Sequence, residues 1–446
     1  MRHQGYHQPR RLHGPPLRDY NAIFPRLPYN RRTRIMTSLH TGSKDELASN
    51  SNSAIETSKT DLFDLSKDVH AHPELNYEEY YSSNALAGFL ERRDFRVERG
   101  IGGVETAFRA TIPGGAGNGP TIAVLAEYDA LPEIGHGCGH NLIAMAAMGA
   151  ALGLQANAAN LPGRVEIIGT PAEEGGGGKI RLLEAGVFDN VDATLSSHPF
   201  SNRTIVPAVS PRGESWSLAM VGYRYMYHGR AAHAAAAPEA GINALNAVIH
   251  LFTGIDALRQ HLRDDVRIHG VITDGGTAPN VVPEFAAANF MLRSRSGQYL
   301  SDEVVGKVRQ VAEGAAAMTG ATLEIEEFYP FYENVQPNLT LAQAVGANLQ
   351  ALGVRLDDPI PGRPGSGAST DFGNVSQVMP AYELRYAVSE TPVASHTRDM
   401  CETAITDFAL SSALQVAKAL SLTAADLLRD ATLVETAKTE YADRSR

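Results

Sequence analysis

Apolar and polar positions along this chain keep two rhythms, one of period 2 and one of period 3.6, and they alternate. Residues 61–69 and 80–93 have helical spacing, and Pro73 closes the first of these segments. Residues 95–102 and 107–112 alternate like strands, and 114–119 is a glycine-rich turn cluster. The apolar run Thr121–Ala126 predicts a strand. Polar residues punctuated by glycine predict a loop over 127–141, and an Ala/Met/Leu-rich run predicts a helix over 142–154. The pattern then repeats: a strand at 164–169, a helix over 180–185 stopped by Gly186, and a strand at 192–196. From 217 the character changes. Strands are predicted at 218–228, 266–273, 284–293 and 322–328, and helices at 242–262 and 301–318. Residues 231–237 are nearly all alanine around His233, whose bland reading is a histidine on an Ala-rich helix face. From 339 the helix and strand alternation resumes, ending in an Ala/Leu-rich helix over 404–420.

This order implies an α/β fold, with a mostly parallel sheet covered on both faces and a smaller α+β unit inserted into it. The division expected is a tail over 1–56, a first α/β segment over 57–216, the insert over 217–330, a second α/β segment over 331–430 and a tail over 431–446. A chain of 446 residues is too long for one ordinary core. The net charge of -11 argues against a nucleic-acid partner. Two cysteines, Cys138 and Cys401, make a disulfide framework improbable and favour a reducing compartment, so a cytoplasmic protein is expected. No apolar run reaches the length of a membrane span. Residues 1–40 are rich in Arg and Pro and nearly free of acids. They suit a disordered tail, a start codon placed ahead of Met36, or a mitochondrial transit peptide.

The chemistry is concentrated where the predicted strands end. The first delivers Asp129, Cys138 and His140, the second Glu173 and Glu174, and the third His198. In open α/β sheets this is the edge where ligands bind. Cys138, His140, Glu174, His198 and the distant His396 form a sulfur, nitrogen and oxygen donor set that suits two borderline divalent cations, Zn2+ or Mn2+. Such a pair acidifies water and polarises a carbonyl. Adjacent side chains of an extended segment point apart, so Glu174 can bind metal while Glu173 serves as general base. Asp129 is placed to orient a ligand histidine. Each residue has a bland reading too: buried small hydrophobe for Cys138, solvated surface for the Glu pair. The run Gly175–Gly178 lacks the continuation of a P-loop. Ser369-Thr370-Asp371 suits either substrate contact near His396 or an Asx-type turn. A Cys138 thiol hydrolase with His140 as base is a competing account, and a non-catalytic binder or scaffold is another.

Together, Asp129-Ala-Leu-Pro, Gly137-Cys-Gly-His-Asn and Pro171-Ala-Glu-Glu make the chain resemble the dinuclear metallopeptidase and amidohydrolase family. That family includes aminoacylases, glutamate carboxypeptidases and indole-acetyl-amino-acid hydrolases. The form His136-Gly-Cys-Gly-His-Asn-Leu is most similar to its aminobenzoyl-glutamate hydrolase and dipeptidase-like branch. The resemblance runs from about residue 61 to 420 and includes His70-Ala-His-Pro-Glu-Leu, Gly229-Arg-Ala-Ala-His-Ala and Gly275-Gly-Thr-Ala-Pro-Asn. It implies a catalytic α/β domain with an inserted lid that forms a homodimer. It also implies two divalent ions on Cys138, His140, Glu174, His198 and His396, with Glu173 as base. His233 would stabilise the oxyanion in the partner subunit's site. Asn280 and Arg293 would hold the carboxylate of a small N-acyl amino acid or dipeptide-like substrate. Asn141 departs from the family pattern, where many relatives carry Asp, and is expected to serve as a helix N-cap.

Overall fold

The computed structural model describes residues 43–112, 118–206, 217–358 and 367–444. The Arg-rich segment 1–40, most of the turn cluster at 114–119, and Gly365 and Ser366 lie outside the described residues. A six-stranded sheet has the order β1-β2-β4-β3-β5-β10. Its strands are β1 (Arg96–Arg99), β2 (Phe108–Thr111), β3 (Thr121–Ala126), β4 (Arg164–Gly169), β5 (Ala193–Pro199) and β10 (Ala381–Tyr386). The β4-β3-β5-β10 core is parallel, whereas β1 and β2 add antiparallel pairs at one edge. β3, β4 and β10 are buried almost throughout. Their apolar runs are continuous rather than alternating because helices cover both faces.

The helix His140–Gln155 lies in that core, buried from His140 to Leu154. Its glycines permit a close crossing with the helix Asp407–Arg429. A Cβ on Gly149 would meet Ala417 Cβ at 2.7 Å, and one on Gly153 would meet Ser421 Oγ at 2.5 Å. Asp407–Arg429 also qualifies, by length and composition, as long enough to cross a membrane, contrary to the expectation of no such run. Its apolar window is 72% buried inside the protein, as a core helix would be.

The insert is a four-stranded antiparallel sheet ordered β7-β8-β6-β9. It consists of β6 (Ala219–His228), β7 (Arg267–Asp274), β8 (Phe285–Ser294) and β9 (Thr322–Tyr332). The helices Ala244–Leu258 and Val305–Thr319 cover one face, packing on Val221, Tyr225, Ile268, Phe290 and Leu292.

Three expectations need correction. Residues 44–56 are not tail. The helix Lys44–Thr57 buries Leu47 and Ile55, and Ser51 Oγ donates to Gly153 O at 2.9 Å. Residues 431–444 are likewise not tail. The helix Ala431–Arg444 buries Val434 and Ala437, and Glu440 accepts from the Leu339 N–H at 2.7 Å. Both segments are mostly polar, so their narrow apolar stripes give little periodic signal. The alanines around His233 form a loop rather than a helix face: His233 bridges to Val281, and Pro238 opens a short 3-10 turn.

Candidate metal centre

Each strand end presents its residues through a backbone that the local sequence permits. After β3 the chain passes Asp129 and turns through Gly139, at φ 78°, into the helix that begins at His140. A Cβ at Gly139 would stand 2.9 Å from Pro199 Cγ, so this loop fits against the end of β5 only as glycine. After β4, Ala172 sits at φ 60° and its N–H donates to Glu79 Oε1 at 2.8 Å, aiming the Glu173-Glu174 turn. Burial, then Asp129 nearby, pushes that Glu79 carboxyl up to about 7. His396 holds a left-handed φ of 63°, and its N–H donates to Gly137 O at 2.8 Å. Strain of this kind persists where the surroundings over-determine it.

The donor atoms meet in three overlapping groups: Cys138 with His140 and His198, Cys138 with Glu174 and His396, and His140 with Glu173 and Glu174. Two ligands on one tetrahedral ion lie roughly 3.3–3.6 Å apart. Cys138 Sγ is 3.5 Å from His198 Nε2, and Glu174 Oε2 is 3.4 Å from His396 Nε2. Those separations fall in two different donor groups, and Cys138 stands in both. His140 Nε2 and Glu174 Oε1 are buried atoms with no hydrogen-bond partner among the described residues. An orphaned nitrogen and oxygen beside a thiol are what a cation would satisfy.

The tautomers agree. His140 Nδ1 faces Asp129 Oδ1 at 2.9 Å and His198 Nδ1 faces Pro199 O at 2.8 Å, so both rings keep their protons there and offer Nε2 lone pairs inward. The other oxygen of Asp129 accepts from the Glu174 N–H at 2.8 Å. Burial raises the Asp129 pKa, but the adjacent His140 and its hydrogen bonds hold it below the usual range. Burial, then Glu127 and Glu174, pushes Glu173 well above it. Burial, then Glu174, pushes the Cys138 thiol well up, while burial lowers His198 to about 4.

Two residues without an assigned role, Glu127 and Lys179, join Asp371 beside these donors. Lys179 is fully buried, its Nζ 2.7 Å from Glu127 Oε1 and 2.6 Å from Asp371 Oδ1. Glu127 Oε2 is 3.6 Å from His140 Nε2. The sequence signal for Lys179 was a lysine closing a glycine run; its carboxylate partners come from 52 residues before and 192 after. The lid adds Tyr332, whose OH donates to Glu173 O at 2.7 Å, and Tyr329, whose OH donates to Glu174 O. β9 thus runs on through 331–332, beyond the expected limit of the insert.

The remaining candidates fall elsewhere. Arg293 on β8 donates to Ser369 Oγ at 3.1 Å, in the loop that ends in Asp371. Burial lowers its pKa. His233 and Asn280 are exposed in the lid, and among the described residues no hydrogen bond or ion pair joins them to the clustered donors. Asn141 is not an N-cap. That position is Gly139, and Asn141 Nδ2 instead donates to Ser66 Oγ at 3.0 Å and Ala404 O at 3.1 Å.

The model of peptidase family M20/M25/M40 matches residues 123–413. The chain belongs to this family. The Xaa-Arg dipeptidase of Mus musculus is 38% identical over 84% of this chain and 88% of its own length. A subunit of the p-aminobenzoyl-glutamate hydrolase of Escherichia coli is 35% identical over 67% of this chain and 64% of its own. A dinuclear metal binding peptidase of the M20 family from Bacillus subtilis shares the fold. Its TM-score is 0.63 at 22% identity, covering 83% of this chain and 99% of that one. The chain is a metal-dependent hydrolase of amide bonds, with a mostly parallel catalytic sheet and a separate antiparallel domain.

Proposed function

We propose that this enzyme cleaves the amide of an N-acyl amino acid or dipeptide that carries a free carboxylate. We further propose that Cys138, His140, Glu174, His198 and His396 would hold two divalent ions, zinc or manganese. The observation that carries this reading is the pair of donor groups sharing Cys138. Bound ions supply Lewis acidity, polarising the scissile carbonyl and acidifying water. Glu173 takes the proton of the attacking water and passes it to the departing amine. Its burial supports that role, because a carboxyl raised above its usual range is a better proton donor near neutrality. Asp129 keeps His140 in its ligating tautomer and ties Glu174 to the same carboxylate. Tyr329 and Tyr332 tie the position of the base to the lid. A thiol mechanism at Cys138 is disfavoured by the burial that opposes its thiolate.

A homodimer through the β7 edge fits the lid. Val271 and Ile272 there are 60% and 42% exposed. The opposite edge, β9, carries Glu324, Glu326 and Glu327, which discourage pairing. His233 accepts backbone N–H groups at Nδ1, from Ala235 at 3.3 Å and Ala236 at 3.1 Å. Its proton is therefore on Nε2, as an oxyanion donor to the partner's site requires. Arg293 and Asn280 would take the substrate carboxylate. The relatives are named for a dipeptide and for aminobenzoyl-glutamate, both amides of amino acids.

The test is metal analysis of the purified enzyme with product identification from a mixed pool of dipeptides, N-acyl amino acids and aminobenzoyl-glutamate. Chelation should abolish turnover and added metal restore it. Glu173→Gln should lose a hundredfold or more in kcat with metal content unchanged. Turnover that survives full metal removal would overturn the reading.

A further inference from the structure

The lid sheet packs one face on its helices and presents the other to the catalytic domain. Tyr332 lies on that open face, and the strand register puts it in one row with Met220, Arg293 and Arg267, on β9, β6, β8 and β7 in turn. The next row holds Tyr329, Gly222, Met291 and His269. The two tyrosines touch the Glu173-Glu174 turn, so the arginines share the face that meets the base. Arg293 is two strands from Tyr332 and Arg267 three, roughly 10 and 14 Å at the usual strand spacing.

These arginines line a cavity of about 460 Å³ together with Leu218, Asp265, His269, Arg295 and Gly367. Arg267 and Arg293 make this lining basic in a chain whose net charge is -11. Asp265 is already engaged: its Oδ2 accepts from Ser294 Oγ at 2.8 Å and from the Arg295 N–H at 2.7 Å. Arg267 and Arg293 stand directly opposite each other across the β7–β8 pair, a destabilising placement for like charges. Arg267 donates only to the backbone carbonyls of Asp264 and Val266, at 2.7 and 3.0 Å, and Arg293 only to Ser369. Neither forms an ion pair with a carboxylate among the described residues, and Arg293 Nε is buried with no partner. An anion between them would offset the repulsion and satisfy the open donors.

We infer that this cavity holds two carboxylates of the leaving amino acid: Arg293 the one next to the scissile amide, Arg267 a second on the side chain. The preferred substrates are then amides of dicarboxylic amino acids. This rests on the amidohydrolase reading above and adds Arg267 as the specificity determinant.

The experiment uses the metal-loaded full-length enzyme, with glutarate and butyrate as probes in calorimetry and as inhibitors of amide hydrolysis. Glutarate should compete with substrate and bind roughly tenfold to a hundredfold tighter than butyrate. Arg267→Gln should erase that difference, and Arg267→Lys should keep part of it, both at wild-type metal content and thermal midpoint. The ratio of kcat/KM for N-acyl-glutamate over N-acyl-norvaline should fall at least tenfold in Arg267→Gln. Equal binding of the two probes, equal losses in the variant, or non-competitive inhibition by glutarate would overturn the inference while hydrolysis stands. Cleavage of no amide at all marks instead the failure of the hydrolase reading, and the inference with it.

Discussion

Asp129→Asn changes one charge at almost constant volume, in a fully buried position with two engagements. Oδ1 accepts from His140 Nδ1–H at 2.9 Å and Oδ2 from the Glu174 N–H at 2.8 Å. An asparagine has one acceptor oxygen and one amide donor. If its oxygen stays on Glu174, its NH2 faces His140 Nδ1, which must then accept. The ring proton moves to Nε2, and His140 loses the lone pair it turns toward Cys138 and His198. If its oxygen stays on His140, its NH2 confronts the Glu174 N–H and the turn is released. Either way one hydrogen bond to a charged group is lost, about 1.5–3 kcal/mol. That agrees with the usual 10–100-fold loss of metal affinity when the partner of a ligand histidine is altered, about 1.4–2.8 kcal/mol. Competitive chelator titration measures the affinity, and urea unfolding of the metal-free proteins separates a folding defect from a ligand defect. A dissociation constant within threefold of wild type, with the metal-free protein equally stable, would refute the tautomer reasoning.

Lys179→Met should cost about 3–5 kcal/mol in urea unfolding, because it leaves Glu127 and Asp371 buried without their shared cation; a loss below about 1 kcal/mol would contradict that. Burial raises the Glu333 pKa from 4.5 to about 7. The folded state therefore holds this proton more tightly, and its stability is full below about pH 4.5 and declines toward pH 7. Glu333→Gln should be neutral at pH 4.5 and stabilise by up to about 3 kcal/mol at pH 8, with a flat difference across that window as the contrary result. Val271→Asp should convert a β7-paired dimer to a folded monomer in analytical ultracentrifugation. An unchanged sedimentation coefficient would move the interface elsewhere.

Much of the centre was legible because a parallel sheet delivers consecutive strand ends to one edge. Asp129, Cys138, His140, Glu173, Glu174 and His198 sit at ends whose apolar runs are unambiguous, and the structure brings them together with His396. Glu127 was in plain view and received no role, since a carboxylate two residues before Asp129 gives no local sign of facing a lysine. Tyr329 and Tyr332 lie beyond the expected strand 322–328 and received no role, since hydroxyl groups at a strand's end carry no signal of reaching across a domain boundary. The terminal helices were missed for a related reason: their burial depends on a partner surface.

By itself, then, the sequence determined the alternation of elements, the family and most of the residues whose donor atoms cluster, because hydrophobic period and donor chemistry are local properties. Tertiary structure alone decided the sharing of Cys138 between two donor groups, the buried Lys179 triad and the row that aligns Arg267 and Arg293 with Tyr332. Those depend on distances between segments far apart in the chain, which strand register and helix packing set and no single segment encodes.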